Sequence, residues 1–110
     1  MLGERNTTLE TAVRAWMIKA LGEVPELQDV PRPVPAKGEA LVRVGSAGIN
    51  FADLLMIAGT YQARPPLPFV PGLEFAGIVD ALGPDTAGPG IGARVLGVSG
   101  SGAMADWVCV

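Results

Sequence analysis

Fifteen glycines and ten prolines are spread through 110 residues, and they cut the apolar sequence into runs too short for long helices. Such a share approaches that of low-complexity chains. Disorder would also require low hydrophobicity. Here 49% of residues are apolar, 17% are charged and the mean hydropathy is +0.38. Short apolar runs punctuated by Gly and Pro describe short strands joined by tight turns. The length fits one domain. The longest stretch without a charge, Val95 to Ala105, has eleven residues and three glycines. A membrane helix needs about 20 predominantly apolar residues, so no such span is expected. Glu4, Arg5 and Glu10 interrupt the N-terminus, which therefore does not read as a signal peptide.

The punctuation predicts an order of elements. Thr7 and Glu10 have capping-box spacing in a leader over 1–13. Strands follow at Arg14–Ala20, Leu27–Val30 and Glu39–Ala47. In the third, Val42 and Val44 should face one way, Leu41 and Arg43 the other. One helix is predicted. Asn50 is a good N-cap, Asp53 lies in the first turn, apolar residues follow at helical spacing, and Gly59 is a C-terminal stop. The prolines at 65, 66, 68 and 71 make a rigid segment that cannot join a central strand. Strands are then expected at Glu74–Leu82, Ala93–Val98 and Met104–Val110.

Composition excludes several chemistries. With no His and only Cys109, neither a Cys/His zinc site nor a histidine-based catalytic triad can form within one chain. A net charge of -3 argues against a nucleic-acid surface, which needs clustered Lys and Arg. A lone Cys forms no intrachain disulfide and suits a cytoplasmic setting. The high apolar content has two readings: an ordinary well-filled core, or a face meant for another domain.

Three features invite a functional reading. Gly100, Gly102 and Ala105 match a dinucleotide-binding glycine pattern, but that pattern needs a following helix, and MADWVCV reads as a strand. A turn between strands is the alternative. Glu74 stands amid apolar residues in PGLEFAG, so it is either hydrogen-bonded structurally or close to a site. Tyr61, the single tyrosine, follows the helix and is either a core-edge residue or a pocket residue.

The strings GINFADLL, GTYQARPPLPFVPGLEFAGIV and GARVLG, in that order after RAWMIKALGE, resemble one family. It is the zinc-independent quinone oxidoreductase family of the medium-chain dehydrogenases/reductases, matched over its N-terminal GroES-like catalytic domain. The resemblance covers 14–110 and leaves 1–13 as an extension. It implies a mostly β fold, a partly open antiparallel β barrel with one or two short helices. Family members carry a second, Rossmann domain that binds NADPH, which this sequence lacks. The resemblance therefore implies a Rossmann partner in the same or another chain. The face left bare allows self-association.

Zinc-dependent relatives have a Cys where Asn50 stands and a His where Leu73 stands, so the resemblance implies NADPH as cofactor and no zinc. It also places Asn50 and Tyr61 as catalytic residues beside the nicotinamide, Asn50 in contact with the cofactor, and Phe51 with Tyr61 along the substrate pocket. Two positions depart from the common pattern: Leu55 replaces a frequent tyrosine, and Ala93 replaces the Asp of a GDRV motif. The implied activity is hydride transfer from NADPH to a quinone or an α,β-unsaturated carbonyl, a small-molecule substrate, with no nucleic acid or membrane partner. A non-catalytic fragment, or an interaction domain of GroES-like fold, is the alternative.

Overall fold

The computed structural model of the chain describes residues 12–110. The capping-box reading at Thr7 lies outside them. Six strands and one helix follow in order: β1 (Ala12–Met17), β2 (Glu26–Pro31), β3 (Ala40–Ala47), α1 (Phe51–Ala58), β4 (Glu74–Leu82), β5 (Arg94–Val98) and β6 (Trp107–Cys109). β1 and β2 form an antiparallel pair, and the other four form an antiparallel sheet in the order β5-β4-β3-β6. The two sheets are stitched together rather than closed. The Trp16 N–H donates to the Met104 carbonyl (3.0 Å), the Asp106 N–H donates to the Arg14 carbonyl (2.9 Å), and Ala15 bridges Ala105. The result is the partly open antiparallel barrel that the resemblance implied.

The core divides in two. Val42, Phe75, Val79, Ala103 and Val108 fill the inner face of the larger sheet. Ile18, Met56 and Phe69 form a satellite that seats α1. Ile18 and Phe69 also exchange backbone hydrogen bonds at 2.8 and 3.1 Å, so the proline segment is fastened to the strand side of the molecule. Arg32, just past β2, pairs with Asp80 on β4 and stacks over Trp107 of β6, its guanidinium 4.0 Å from the ring centroid.

Two expectations need correction. The first strand starts at Ala12, two residues before Arg14, and Val13 is buried. The alternation expected in β3 holds: Val42 and Val44 pack on the core cluster with Val108, while Leu41, also buried, pairs with Cys109 outside that cluster. The register against β4 shifts between Leu41 and Val42, where Asp80 is the extra residue on β4. The last strand shrinks from seven residues to three. Upstream of it, the Gly102, Ala103 and Met104 N–H groups donate to the carbonyls of Val70, Gly72 and Pro71 instead of to a strand neighbour.

Candidate functional site

The site is built where β3 runs into α1. Asn50 is the N-cap, with extended backbone (φ -119°, ψ 157°), and Gly59 closes the helix in the left-handed region at φ 81°. Its N–H reaches back to the last-turn carbonyls, as a C-terminal glycine should. Asn50 and Asp53 stand in capping-box arrangement. The arm with the firm geometry is Asp53, whose Oδ2 accepts the Asn50 N–H at 2.8 Å. The Asp53 N–H itself donates to the Asn50 backbone carbonyl at 3.0 Å. Asp53 is 1% exposed, and its other oxygen, Oδ1, accepts the Gly72 N–H at 3.1 Å. One buried carboxylate thus ties the helix start to the residue before Leu73.

A second brace lies beside it. The Gly48 N–H donates to the Glu74 carbonyl at 3.2 Å, and the Glu74 side chain lies across the Gly48 Cα. A Cβ at position 48 would meet the Glu74 side chain, an exposed and flexible arm that would have to swing aside. Ser99 completes the corner, its hydroxyl donating to the Gly72 carbonyl at 3.2 Å. Positions 48–50 and 72–74 therefore form one rigid corner.

Two open grooves flank that corner. One, of about 440 Å³, lies between the sheets and is lined by Arg14, Trp16, Leu27, Ile49, Met104 and Asp106 among others. The other, of about 350 Å³, runs over Ser46, Gly48, Glu74, Leu96 and Val98. Asn50, Phe51 and Tyr61 line neither groove.

The structure brings some of the expected residues together and separates others. The Asn50 and Gly72 N–H groups meet on Asp53, while Leu73, next in the chain, packs against the Ile18, Met56 and Phe69 cluster. Phe51 is 72% exposed and forms, with Ile49 and Leu54, a bare apolar cap around the start of α1. Tyr61 lies past the other end of α1, half-buried against the Ile18, Met56 and Phe69 cluster. An eight-residue helix rises about 12 Å, so its two flanks are well apart. Glu74 is exposed at the start of β4 rather than buried in apolar surroundings.

The clamp between Asp53 and Gly72 was not foreseen. Its signal was present, since an Asp in a short apolar helix needs a partner once buried, but the partner lies nineteen residues away.

The glycine cluster does not build a phosphate cradle. No helix follows Gly102, and the N–H groups of 102–104 are already spent on carbonyls of 70–72. Among the described residues no three His, Cys, Asp or Glu side chains gather as metal ligands. Cys109 is half-buried in β6, and burial, with a smaller push from the Glu39 carboxylate, raises its thiol above the ordinary value. A thiol so raised is a poor nucleophile at neutral pH.

The chain belongs to the alcohol dehydrogenase GroES-like domain family, whose model matches residues 36–110. Within it, the chain is similar to quinone oxidoreductases of the medium-chain dehydrogenase/reductase superfamily. Mouse quinone oxidoreductase-like protein 2 is 46% identical over 94 residues, 84% of this chain and 27% of that protein. The crystal structure of human synaptic vesicle membrane protein VAT-1 homolog-like protein superposes with a TM-score of 0.85 at 36% identity, covering 91% of this chain and 32% of that one. The quinone oxidoreductase from Thermus thermophilus, solved alone and in complex with NADPH, superposes at 0.75 with 38% identity, over 88% of this chain and 29% of that one. The chain thus spans about a quarter to a third of the length of these relatives.

Proposed function

We propose that this chain is the substrate-side half of an NADPH-dependent oxidoreductase acting on a quinone or an α,β-unsaturated carbonyl. The observation that supports this reading is the braced corner at 48–50 and 72–74, which ties the Asn50 and Gly72 N–H groups to one carboxylate; by the resemblance, Asn50 and Leu73 would stand where zinc-dependent relatives carry a Cys and a His. Neither side chain is a zinc ligand of the usual N, S or carboxylate type. Polarisation of the substrate oxygen therefore falls to hydrogen-bond donors and the local field.

NADPH, held by a Rossmann domain in the same or another chain, would supply the hydride. The described residues offer its phosphates no cradle, so this chain's work is orientation. The capping arm from Asp53 fixes the Asn50 backbone and leaves its amide to orient the nicotinamide or the substrate oxygen. Phe51, with Ile49 and Leu54, would give an apolar wall where the second domain packs. The Tyr61 hydroxyl would serve from the far flank of α1 as a donor to a developing enolate or hydroquinone oxygen. Residues 1–13 would be an extension outside this domain, and a cytoplasmic setting fits the single thiol.

The test joins the chain to a Rossmann domain of the family and follows NADPH oxidation. Addition of a quinone or an enone should start turnover in metal-free buffer. Turnover that appears only with added zinc, or only with a saturated alcohol and NADP, would overturn the reading.

A further inference from the structure

Among the described residues Asp53 is the only charged or polar side chain that the fold buries. A buried carboxylate carries a desolvation cost, and well-packed apolar groups in place of buried charges are often neutral or stabilising. Stability alone is therefore a weak reason for an aspartate here.

Its bonds give another reason. Both main-chain polar groups of Asn50 end on Asp53. The Asn50 N–H donates to Oδ2 (2.8 Å), and the Asn50 carbonyl accepts the Asp53 N–H (3.0 Å). The extended φ and ψ at Asn50, and with them the direction of its Cα–Cβ bond, are thus set by one residue. Asp53 is in turn anchored outside its own helix, by the Gly72 N–H on Oδ1 (3.1 Å). Gly72 is the fixed end of this chain of contacts. Its carbonyl accepts the Ala103 N–H and the Ser99 hydroxyl, each at 3.2 Å. Its φ of 114° lies in the region that favours glycine. A Cβ there would stand 2.6 Å from the Met104 nitrogen and 2.9 Å from the Ala103 Cβ, so the loop ahead of β6 closes on this peptide from its far side.

We infer that Asp53 is a positioning residue, which carries the frame of the sheet, through Gly72, to Asn50. The inference rests on the proposed function, in which Asn50 meets the nicotinamide or the substrate oxygen. Asp53, 1% exposed, acts only through Asn50. A working site must hold its groups to within about 0.5 Å, and a misplacement of about 1 Å can cost roughly 10²-fold in rate. Without the Gly72 arm, Asp53 and Asn50 are tied only to each other and to the first turn of a short helix.

Asp53→Asn keeps the shape and one acceptor oxygen, but its NH2 faces a main-chain N–H and cannot accept it. One arm of the clamp is lost. In the chain joined to a Rossmann domain, kcat for quinone reduction should fall roughly 10²-fold, at a temperature where circular dichroism shows the variant folded. KM for the quinone should change by less than about twofold, because what is lost is alignment rather than a contact with the bound quinone. In the chain alone, amide exchange gives a readout free of cofactor. It should quicken at Asn50 or Gly72, whichever N–H loses its acceptor, while the amides between β3 and β6 keep their protection. Asp53→Ala should quicken both. An unchanged kcat in folded Asp53→Asn would overturn the inference and leave the proposed function standing. So would exchange that quickens throughout the sheet, the mark of a purely stabilising role. An unsubstituted joined protein that oxidises no NADPH with a quinone or an enone would remove the proposed function and this inference together.

Discussion

At the start of α1 a single carboxylate, Asp53, holds two backbone N–H groups from different parts of the chain. Asp53→Ala removes both acceptors and leaves buried donors unpaired, each worth about 1–3 kcal/mol. Urea unfolding should therefore show a loss of about 3 kcal/mol. Asn50→Ala should cost less than about 1 kcal/mol, the usual value of a cap, because Asp53 carries the firm arm. The sequence showed Asn50 and Asp53 as local helix signals, three residues apart. It could not show Gly72 as the second partner, since no local spacing encodes a contact across nineteen residues. Cys109 belongs to the same scale. Its raised thiol means less thiolate at a given pH, so alkylation of the folded chain should be slower than in denaturant, with its midpoint moved to higher pH. The neutral thiol is the form the fold prefers. Its stabilisation is complete below the ordinary thiol value and is lost as pH rises through the raised one. Equal alkylation rates in the folded and unfolded chain would contradict this.

Strands β4 and β5 and helix α1 were legible because apolar runs bounded by Gly and Pro coincide with hydrogen-bonded elements there. β3 was legible in extent and in facing, since Val42 and Val44 both pack on the core cluster as the period of two predicts. The end of the chain misled because the N–H groups of Gly102, Ala103 and Met104 are claimed by the segment that follows the prolines. Close approach between elements gives a prediction at Gly77. A Cβ there would press on the Arg43 carbonyl and stand 2.8 Å from Val42 Cγ1, both on the paired strand β3. Neither neighbour is a flexible chain end, so Gly77→Ala should cost about 2 kcal/mol, within the usual range for overpacking. Thermal unfolding followed by circular dichroism should show a lowered midpoint, and an unchanged one would mean the two strands can part. Arg32 ties β2's exit to β4 and β6 through an ion pair and a stacked ring. Arg32→Lys keeps the charge and loses the planar stack, so it should destabilise by about 0.5–1 kcal/mol.

Taken whole, the molecule is a braced corner on an open barrel, with two bare apolar regions. One surrounds the start of α1 at Ile49, Phe51 and Leu54, and the other is the outer face of β5. The high hydropathy of the sequence fitted a well-filled core as well as such a surface, and it could not say where the surface lies, because location depends on which face each strand turns outward. The first region is where the proposed nucleotide domain would pack. The 110 residues alone should show no saturable NADPH fluorescence change below about 1 mM, a dissociation constant corresponding to only about -4.1 kcal/mol. Tight binding would mean that the loop at Gly100–Met104 rearranges into a cradle. The central claim, that the corner at Asn50 serves hydride transfer, is tested most directly by one rate. In the chain joined to a Rossmann domain, the single-turnover oxidation of NADPH by a quinone should fall roughly 10²-fold in Asn50→Ala, the low end for losing one stabilising donor. An unchanged rate in a folded Asn50→Ala protein would contradict the account.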